Sequence, residues 1–428
     1  HWKLAFPKVF SGENPGFDCV LGNPPWEKIK LQEDEFFAAR DPEIIAAPNK
    51  AARQKLIDEL VQSNPMLSAA FKDAKHAADA TSKFVRVSER FPLTAIGDVN
   101  TYALFAEHFL SLLSKTGRAG VIVPTGIATD DSTKQFFGNL IDNQSLASLF
   151  GFENEAFIFH ADHHAFKFCA LSMTGSLVKV ENPDFIFFAR YFEDMKQPER
   201  RFRLSRNDIA RINPNTKTMP IFRTKADAVL NQKIYERVPV FENEGNEENH
   251  WQIRFLAMFH MSNDSDIFAT QPQIGYKPLY EAKLIYHYDN RYSTYENATQ
   301  ANLNAGILPQ PTPEQKQNPN FSVLTRYWVE DTEVRNRIPE EWKRNWLFLY
   351  RRITSVVVER TVIVSVAPLY GAADPAMVLL PLQANSSLMP CLLANLNSLP
   401  LDYFARQKIG GTDLRNHYFK QLPVLPPS

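Results

Sequence analysis

What the chain lacks narrows the field first. No apolar run approaches the ~18 residues that a bilayer-spanning helix needs. The opening His1-Trp2-Lys3-Leu4 has no charged head, apolar body or small-residue cleavage site of a secretory signal. It also has no initiator methionine, so a cut or fragmentary chain is expected. The 3 cysteines, Cys19, Cys169 and Cys391, lie far apart in apolar segments and form no CxxC or Cys/His cluster, which excludes a zinc site and a disulfide scaffold. Buried, reduced thiols in a cytoplasmic protein fit that usage. Glycine is scarce, 16 in 428 residues, and no glycine-rich strand-to-helix turn is present that could cradle a phosphate or nucleotide.

A global basic excess is missing too, since the net charge is only −1. Its distribution is uneven, however. Lys196 to Lys225 holds 9 Lys/Arg against 2 Asp/Glu, and Lys343 to Arg360 holds 5 against 1. Local patches, not the sum, decide whether phosphates are attracted. Such runs are otherwise solvated faces.

Length allows two or three domains with cores of their own. Residues 1–175 read as α/β. Phe17 to Leu21 is a short apolar strand, 33–80 is helical in composition, and Thr101 to Ser114 has apolar residues at helical spacing. Lys115-Thr116-Gly117 reads as a C-cap and turn. Val121 to Val123, Ser145 to Phe152 and Phe166 to Met173 read as strands, and Asp131 to Asp142 as a helix. Alternation of this kind predicts a mostly parallel sheet covered by helices on both faces. Residues 176–428 mix aromatics, Pro, Asn and Arg without a steady period and read as a mixed α+β domain. A Pro- and Asn-rich loop insertion falls near 302–320.

Gly22-Asn23-Pro24-Pro25-Trp26 directly follows the first strand, where open α/β sheets bind ligands. Two prolines fix an extended path and remove two N–H donors. Carbonyl oxygens and the Asn23 side chain remain as acceptors. An exocyclic amine conjugated to a base is a poor nucleophile. Two acceptors on its hydrogens localise the lone pair on nitrogen, which is electrostatic stabilisation of developing charge. Asn23 and Pro24 can supply both, and Trp26 offers a face on which an extruded base can stack. The bland alternative is a strand, a proline turn and a core tryptophan.

The run Phe17-Asp18-Cys19-Val20-Leu21-Gly22-Asn23-Pro24-Pro25-Trp26 resembles the catalytic motif of gamma-class adenine-N6 DNA methyltransferases. The likeness is to large bacterial single-chain restriction–modification and phage-defence methylases. Asp98 to Phe105, Gly117 to Pro124 and Phe159 to Phe168 resemble the blocks that follow. The resemblance implies a partial class I methyltransferase (Rossmann-like) sheet with a C-terminal target-recognition domain. It implies site-specific methylation of adenine N6 in double-stranded DNA, with S-adenosyl-L-methionine as donor. Catalytic residues are then Asn23, Pro24, Pro25 and Trp26, with Asn23 also reaching the cofactor. Phe159 stacks the base opposite Trp26, across an open slot that Asn23 must face. The family's main cofactor turn precedes this motif, and only 22 residues precede Asn23 here. Gly12 and Gly16 follow no suitable strand. Cofactor binding is therefore expected to need an upstream part of the same enzyme.

Further blocks also resemble the C-terminal parts of those methylases. They nominate Arg200, Arg201, Arg203, Arg223, Arg291, Arg351, Arg352, Lys408, Gly410, Gly411 and Thr412 for DNA contact, with Gly410-Gly411 allowing a close backbone turn. The adjacent His163 and His164 would point to opposite faces of a strand and are not expected to chelate a metal. No membrane partner is expected. Two other functions stay open: a non-catalytic DNA-recognition module, and methylation of another amine such as cytosine N4 or a protein glutamine.

Overall fold

The computed structural model of the chain describes residues 2–47, 50–160, 166–382, 385–409 and 411–427. Two compact units result, His1–Ile209 with Thr216–Lys225, and Ala210–Asn215 with Ala226–Ser428.

In the first unit, β1 (Phe17–Gly22) is the apolar strand read from the sequence. Four helices follow it, α1 (Glu33–Ala38), α2 (Pro42–Ile45), α3 (Lys50–Ser63) and α4 (Pro65–Val87). Asp41 caps α2 and Asn64 caps α4, each followed by a proline whose missing N–H costs nothing in the first turn. Their apolar faces close on Phe37, Ile44, Ile57, Leu60 and Phe71. Next come α5 (Thr101–Leu112), β2 (Leu113–Pro124), α6 (Lys134–Asp142), β3 (Leu146–Glu153), β4 (Lys167–Thr174), β5 (Asp184–Ala189) and β6 (Phe202–Arg203). The turn expected at Lys115-Thr116-Gly117 lies instead within β2. Phe17 faces Leu113 and Cys19 faces Arg118, so residues 114–117 bulge opposite Asp18 alone.

The sheet order is β1-β2-β4-β3-β5-β6. β1 pairs parallel with β2 and β3 with β5, while β4 runs antiparallel between β2 and β3. Hydrophobic period gives a strand but not its direction. The chain returns from β3 to β4 without a long crossover helix, and the neighbouring pair is reversed. The ends of β1, β2, β3 and β5 thus bring Asn23, Thr125, Asn154 and Arg190 to one rim, together with Lys167 at the start of β4. The boundary expected at 175 falls inside this unit, because β5 pairs with β3 and β6 with β5. The change in texture there is an aromatic strand, Phe185 to Phe188, joining the same sheet. Cys169 is buried as expected, whereas Cys19 and Cys391 are exposed. Cys19 sits on β1, the edge of the sheet.

The second unit takes in α7 (Lys225–Tyr235) from Ala226 onward and carries two four-stranded sheets. One is β10 (Tyr327–Glu330), β9 (Tyr276–Tyr280), β13 (Gly371–Asp374) and β8 (Phe259–His260). The other is β12 (Val364–Pro368), β11 (Trp346–Arg351), β14 (Ala376–Pro381) and β7 (Ile253–Leu256). β14 is buried at every position, since it is central and covered on both faces, so it reads as a continuous apolar run and not as an alternation. Phe259, Leu279, Val329, Leu347, Leu349 and Val378 share one core drawn from both sheets. Two helices follow, α8 (Met389–Leu396) and α9 (Leu399–Arg406). The expected insertion contains two short helices, Gln300–Ala305 and Pro313–Gln317, each opened by a Thr capping box.

Candidate functional site

β1 ends where the chain must leave the sheet. Gly22 is required there because a Cβ would meet the Phe109 ring at 2.9 Å. Asn23 is exposed, Pro24 buried, Pro25 exposed and Trp26 half-buried. Beyond the prolines the loop is fastened to the start of α5. The Thr101 hydroxyl donates to the Pro25 carbonyl at 2.7 Å and accepts the Glu27 N–H at 3.0 Å, and the Thr101 N–H donates to the Glu27 carbonyl at 2.9 Å. Among the described residues, neither the Asn23 amide nor the Pro24 carbonyl has a hydrogen-bond partner. The two acceptors expected of the motif are therefore uncommitted, on a loop held from one side. A sequence reading of the motif does not reveal Thr101, 76 residues from the carbonyl it binds.

Trp26 and Phe159 do come together, with ring centroids 5.8 Å apart at 72°. Both also meet Phe168 on β4, Phe159 at 4.8 Å and Trp26 at 6.4 Å. The open slot expected between them is not present. A base stacked between two parallel rings needs roughly 7 Å, two base-stacking rises, and edge-to-face contact leaves no such gap. The three rings bury one another with Phe152 and Ile186 because each gains more from apolar contact than from water. Two polar atoms at this rim are buried without partners, the Trp26 indole N–H and the Thr125 hydroxyl. Buried polar atoms left unsatisfied cost about 1–3 kcal/mol each.

The position of Phe159 is set by Asn154, a fully buried residue that the sequence reading did not single out. Its side-chain oxygen accepts the Phe159 N–H at 3.0 Å and its amide donates to the Phe159 carbonyl at 2.9 Å. Its own N–H donates to the Phe166 carbonyl and its carbonyl accepts from Phe157. One residue thus organises the loop that carries three aromatics, and Phe157, at φ 50°, takes a left-handed backbone there. Asn154→Ala is expected to destabilise this unit by about 1–3 kcal/mol by orphaning both Phe159 groups. The Phe159 amide should lose hydrogen-exchange protection while β2 and β4 keep theirs. Unchanged protection at Phe159 would contradict the assignment.

Among the described residues no glycine-rich strand-to-helix turn follows β1. β1 is followed by prolines, not by a glycine turn and helix. Gly16 is used for close packing, since a Cβ there would meet the Leu113–Ser114 backbone at 2.4 Å. Leu21 on the edge strand is 77% exposed. Among the described residues there is no group of three His, Cys, Asp or Glu side chains able to hold a metal, and no helix is long and apolar enough to cross a membrane. His163, His164 and Gly410 lie outside the described residues.

The nominated cations divide sharply. In the first unit, Arg201 and Arg203 both pair with Asp184, at 2.7 and 2.8 Å. Burial opposes ionisation of Asp184, but its hydrogen bonds and charge contacts with the two arginines outweigh that and hold the carboxyl below its usual range. Arg200 points inward to the Phe188 carbonyl at 3.1 Å and to Gln197. Arg223 is exposed and stacks on Phe188 at 4.0 Å.

In the second unit the cations face inward. Arg291 donates to the carbonyls of Lys316, Asn318 and Phe321 and holds the insertion. Arg351 donates to the Ile285 carbonyl beside the stacked rings of Tyr286 and Tyr292, where burial opposes its charge. Arg352 joins Asp374 and Asp413. Lys408 is buried on the Ile212 carbonyl and Asn213, and burial pushes its ammonium well down. All four thus make hydrogen bonds or ion pairs to carbonyls, to Asn213 or to carboxylates of the chain itself. Thr412 and Gly411 remain exposed. A Cβ at Gly411 would meet open space, so packing there does not demand glycine.

No family model and no curated protein sequence matches the chain. Among solved structures it is similar to the type IIG restriction endonuclease BpuSI, at 12% identity and a TM-score of 0.32, over 98% of this chain and 48% of that one. It is similar to the type IIL restriction–modification enzyme MmeI in complex with DNA, at 10% identity and 0.38, over 88% of this chain and 42% of that one. It is also similar to a nuclease-deletion mutant of the type ISP restriction–modification enzyme LlaGI, solved with a DNA substrate mimic, at 9% identity and 0.33, over 95% and 33%. The chain spans less than half the length of each. At this distance no residue role carries across, and the functional reading rests on the chain's own site.

Proposed function

We propose that the chain is the target-base portion of a site-specific DNA adenine-N6 methyltransferase of the restriction–modification or phage-defence kind. The observation that carries this is the pair of uncommitted acceptors, Asn23 and the Pro24 carbonyl, at the end of a sheet strand beside a cluster of three rings. The base is extruded at a cost of a few kcal/mol, and stacking returns about 1–3 kcal/mol of it. Trp26 and Phe159 separate to admit the base, and the contact they make with each other is exchanged for contact with it. The two acceptors then take the two hydrogens of the exocyclic amine and localise its lone pair. The donor that the sequence resemblance implies is S-adenosyl-L-methionine. The part of the described residues is to hold the base and its amine.

Methylation of another amine uses the same acceptors, and nothing at the rim favours a protein substrate over a base. The test is the product. Duplex DNA treated with the full-length gene product and S-adenosyl-L-methionine, then digested to nucleosides, should contain N6-methyl-2′-deoxyadenosine. Methylcytosine alone would transfer the reading to the cytosine amine. A protein that binds DNA and yields no methylated nucleoside would leave a recognition module.

A further inference from the structure

We propose that the same rim carries a phosphodiester grip centred on Phe188, which holds the DNA backbone next to the extruded nucleotide. The choice of DNA as the source of the phosphate rests on the function proposed above; the anion site itself rests on separate observations.

The first is a backbone irregularity. Phe150 faces Ile186 and Phe152 faces Ala189, so Phe187 and Phe188 together stand opposite Gly151. Gly151 makes room for this, since a Cβ there would meet Phe187 at 2.8 Å. Phe188 is left with φ 59°, a left-handed conformation rare for an aromatic residue. Bulges of this kind turn a side chain out of the sheet, often beside a functional site, and strained residues cluster at such places.

The second is what meets the turned-out residue. The Arg223 guanidinium lies 4.0 Å from the Phe188 ring and the Lys167 ammonium 5.2 Å from it, while Arg200 donates to its carbonyl. Arg190, two residues on, reaches Glu153 at 3.2 Å, and Lys167 reaches the same carboxylate at 3.9 Å. Asp194 accepts the Arg190 backbone N–H at 2.7 Å. Four cations therefore gather against two carboxylates, and among the described residues the exposed Arg223 has the Phe188 ring beneath it and no hydrogen-bond or ion-pair partner. An aromatic face attracts cations but removes none of their charge. The residual charge suits an anion with spread oxygens, and the flat fork of Arg223 suits a phosphate in particular.

The third is position. Lys167 precedes Phe168, whose ring touches both Phe159 and Trp26, and the Lys167 carbonyl accepts the Thr125 N–H. The cations thus adjoin the base site along the rim.

The experiment is anisotropy of a fluorescein-labelled duplex of about 30 base pairs with the 428-residue chain, between about 50 and 200 mM salt. Lys167→Ala with Arg223→Ala should lower the slope of log affinity against log salt by about 1–2 and weaken binding at least tenfold at the lower salt. Arg201→Ala, whose charge is already paired with Asp184, should leave the slope unchanged. Unaltered slope and affinity in the double variant would overturn the grip, as would a wild-type chain that binds no duplex. Asn23→Ala separates the two ideas: it should leave the slope intact. Retained methyl transfer by Asn23→Ala would remove the proposed chemistry and leave the grip standing.

Discussion

Asn23→Ala in the full-length protein should lower methyl transfer by at least ~10²–10³-fold, the effect of deleting one preorganised group that meets developing charge. Duplex affinity should stay within about twofold, because the slope-setting contacts are phosphates elsewhere on the rim. Stability should change by no more than about 0.5 kcal/mol, as for other surface positions without partners. The separation follows from the geometry. Asn23 is exposed and bonds to no described residue, while the loop it stands on is fastened through Thr101 and the carbonyls of Pro25 and Glu27. A structural asparagine would behave in the opposite way, losing stability first and activity only as a consequence. Asn154, with its buried two-point hold on Phe159, supplies that contrast within the same unit. Timed incorporation of labelled methyl groups, beside a thermal melt of each variant, distinguishes the two patterns. Transfer by Asn23→Ala at the wild-type rate would remove Asn23 from the chemistry.

Asp402→Ala should destabilise the second unit by about 3–5 kcal/mol, the cost of leaving buried charges without their partner. Asp402 is 3% exposed. Oδ1 accepts the N–H groups of Thr361 and Val362 at 2.7 and 2.8 Å and has Arg360 Nε at 3.6 Å, and Oδ2 accepts from Arg406 at 2.9 Å. Arg406 in turn donates to the carbonyls of Val356, Val358 and Glu359. Removing the carboxylate orphans two backbone donors and leaves two guanidinium groups without their counter-charge, so that they hold only carbonyls. Asp402→Asn keeps one acceptor for the backbone and should lose less. The reading is hydrogen exchange at β11, β12 and β14, since a chain of two units need not unfold in one step. Protection within about 1 kcal/mol of wild type in Asp402→Ala would contradict the network's role.

The first unit is largely legible in the sequence because its strands are short apolar runs bounded by turn residues and its helices keep a 3.6-residue period. β1, β3, β4 and α5 fall within a few residues of where the sequence places them, while β2 starts eight residues before the expected Val121. Three things are not legible. Strand direction depends on the connection, so nothing local marks β4 as reversed. Aromatic runs such as Phe185 to Phe188 carry no alternation, and β5 reads as the start of another domain. Cations look alike in a sequence whatever they face. Arg223 is exposed, whereas Arg351 is consumed by the Ile285 carbonyl and Lys408 by Ile212 and Asn213, partners 66 and 196 residues away for the carbonyl contacts. The motif itself is legible, because Asn-Pro-Pro-Trp on a strand end is a local arrangement. The contact that closes Trp26 on Phe159 is not, because it depends on how Asn154 folds its loop.

The most direct measurement is fluorescence of 2-aminopurine placed at the target adenine, once product sequencing has located that base. Binding of the full-length protein should raise the emission as the base leaves the stack, and Asn23→Ala should preserve part of that rise while transfer to the matching adenine duplex is lost. A probe duplex that is bound with no change in emission at the target position, while the matching adenine duplex is methylated there, would contradict an extruded base.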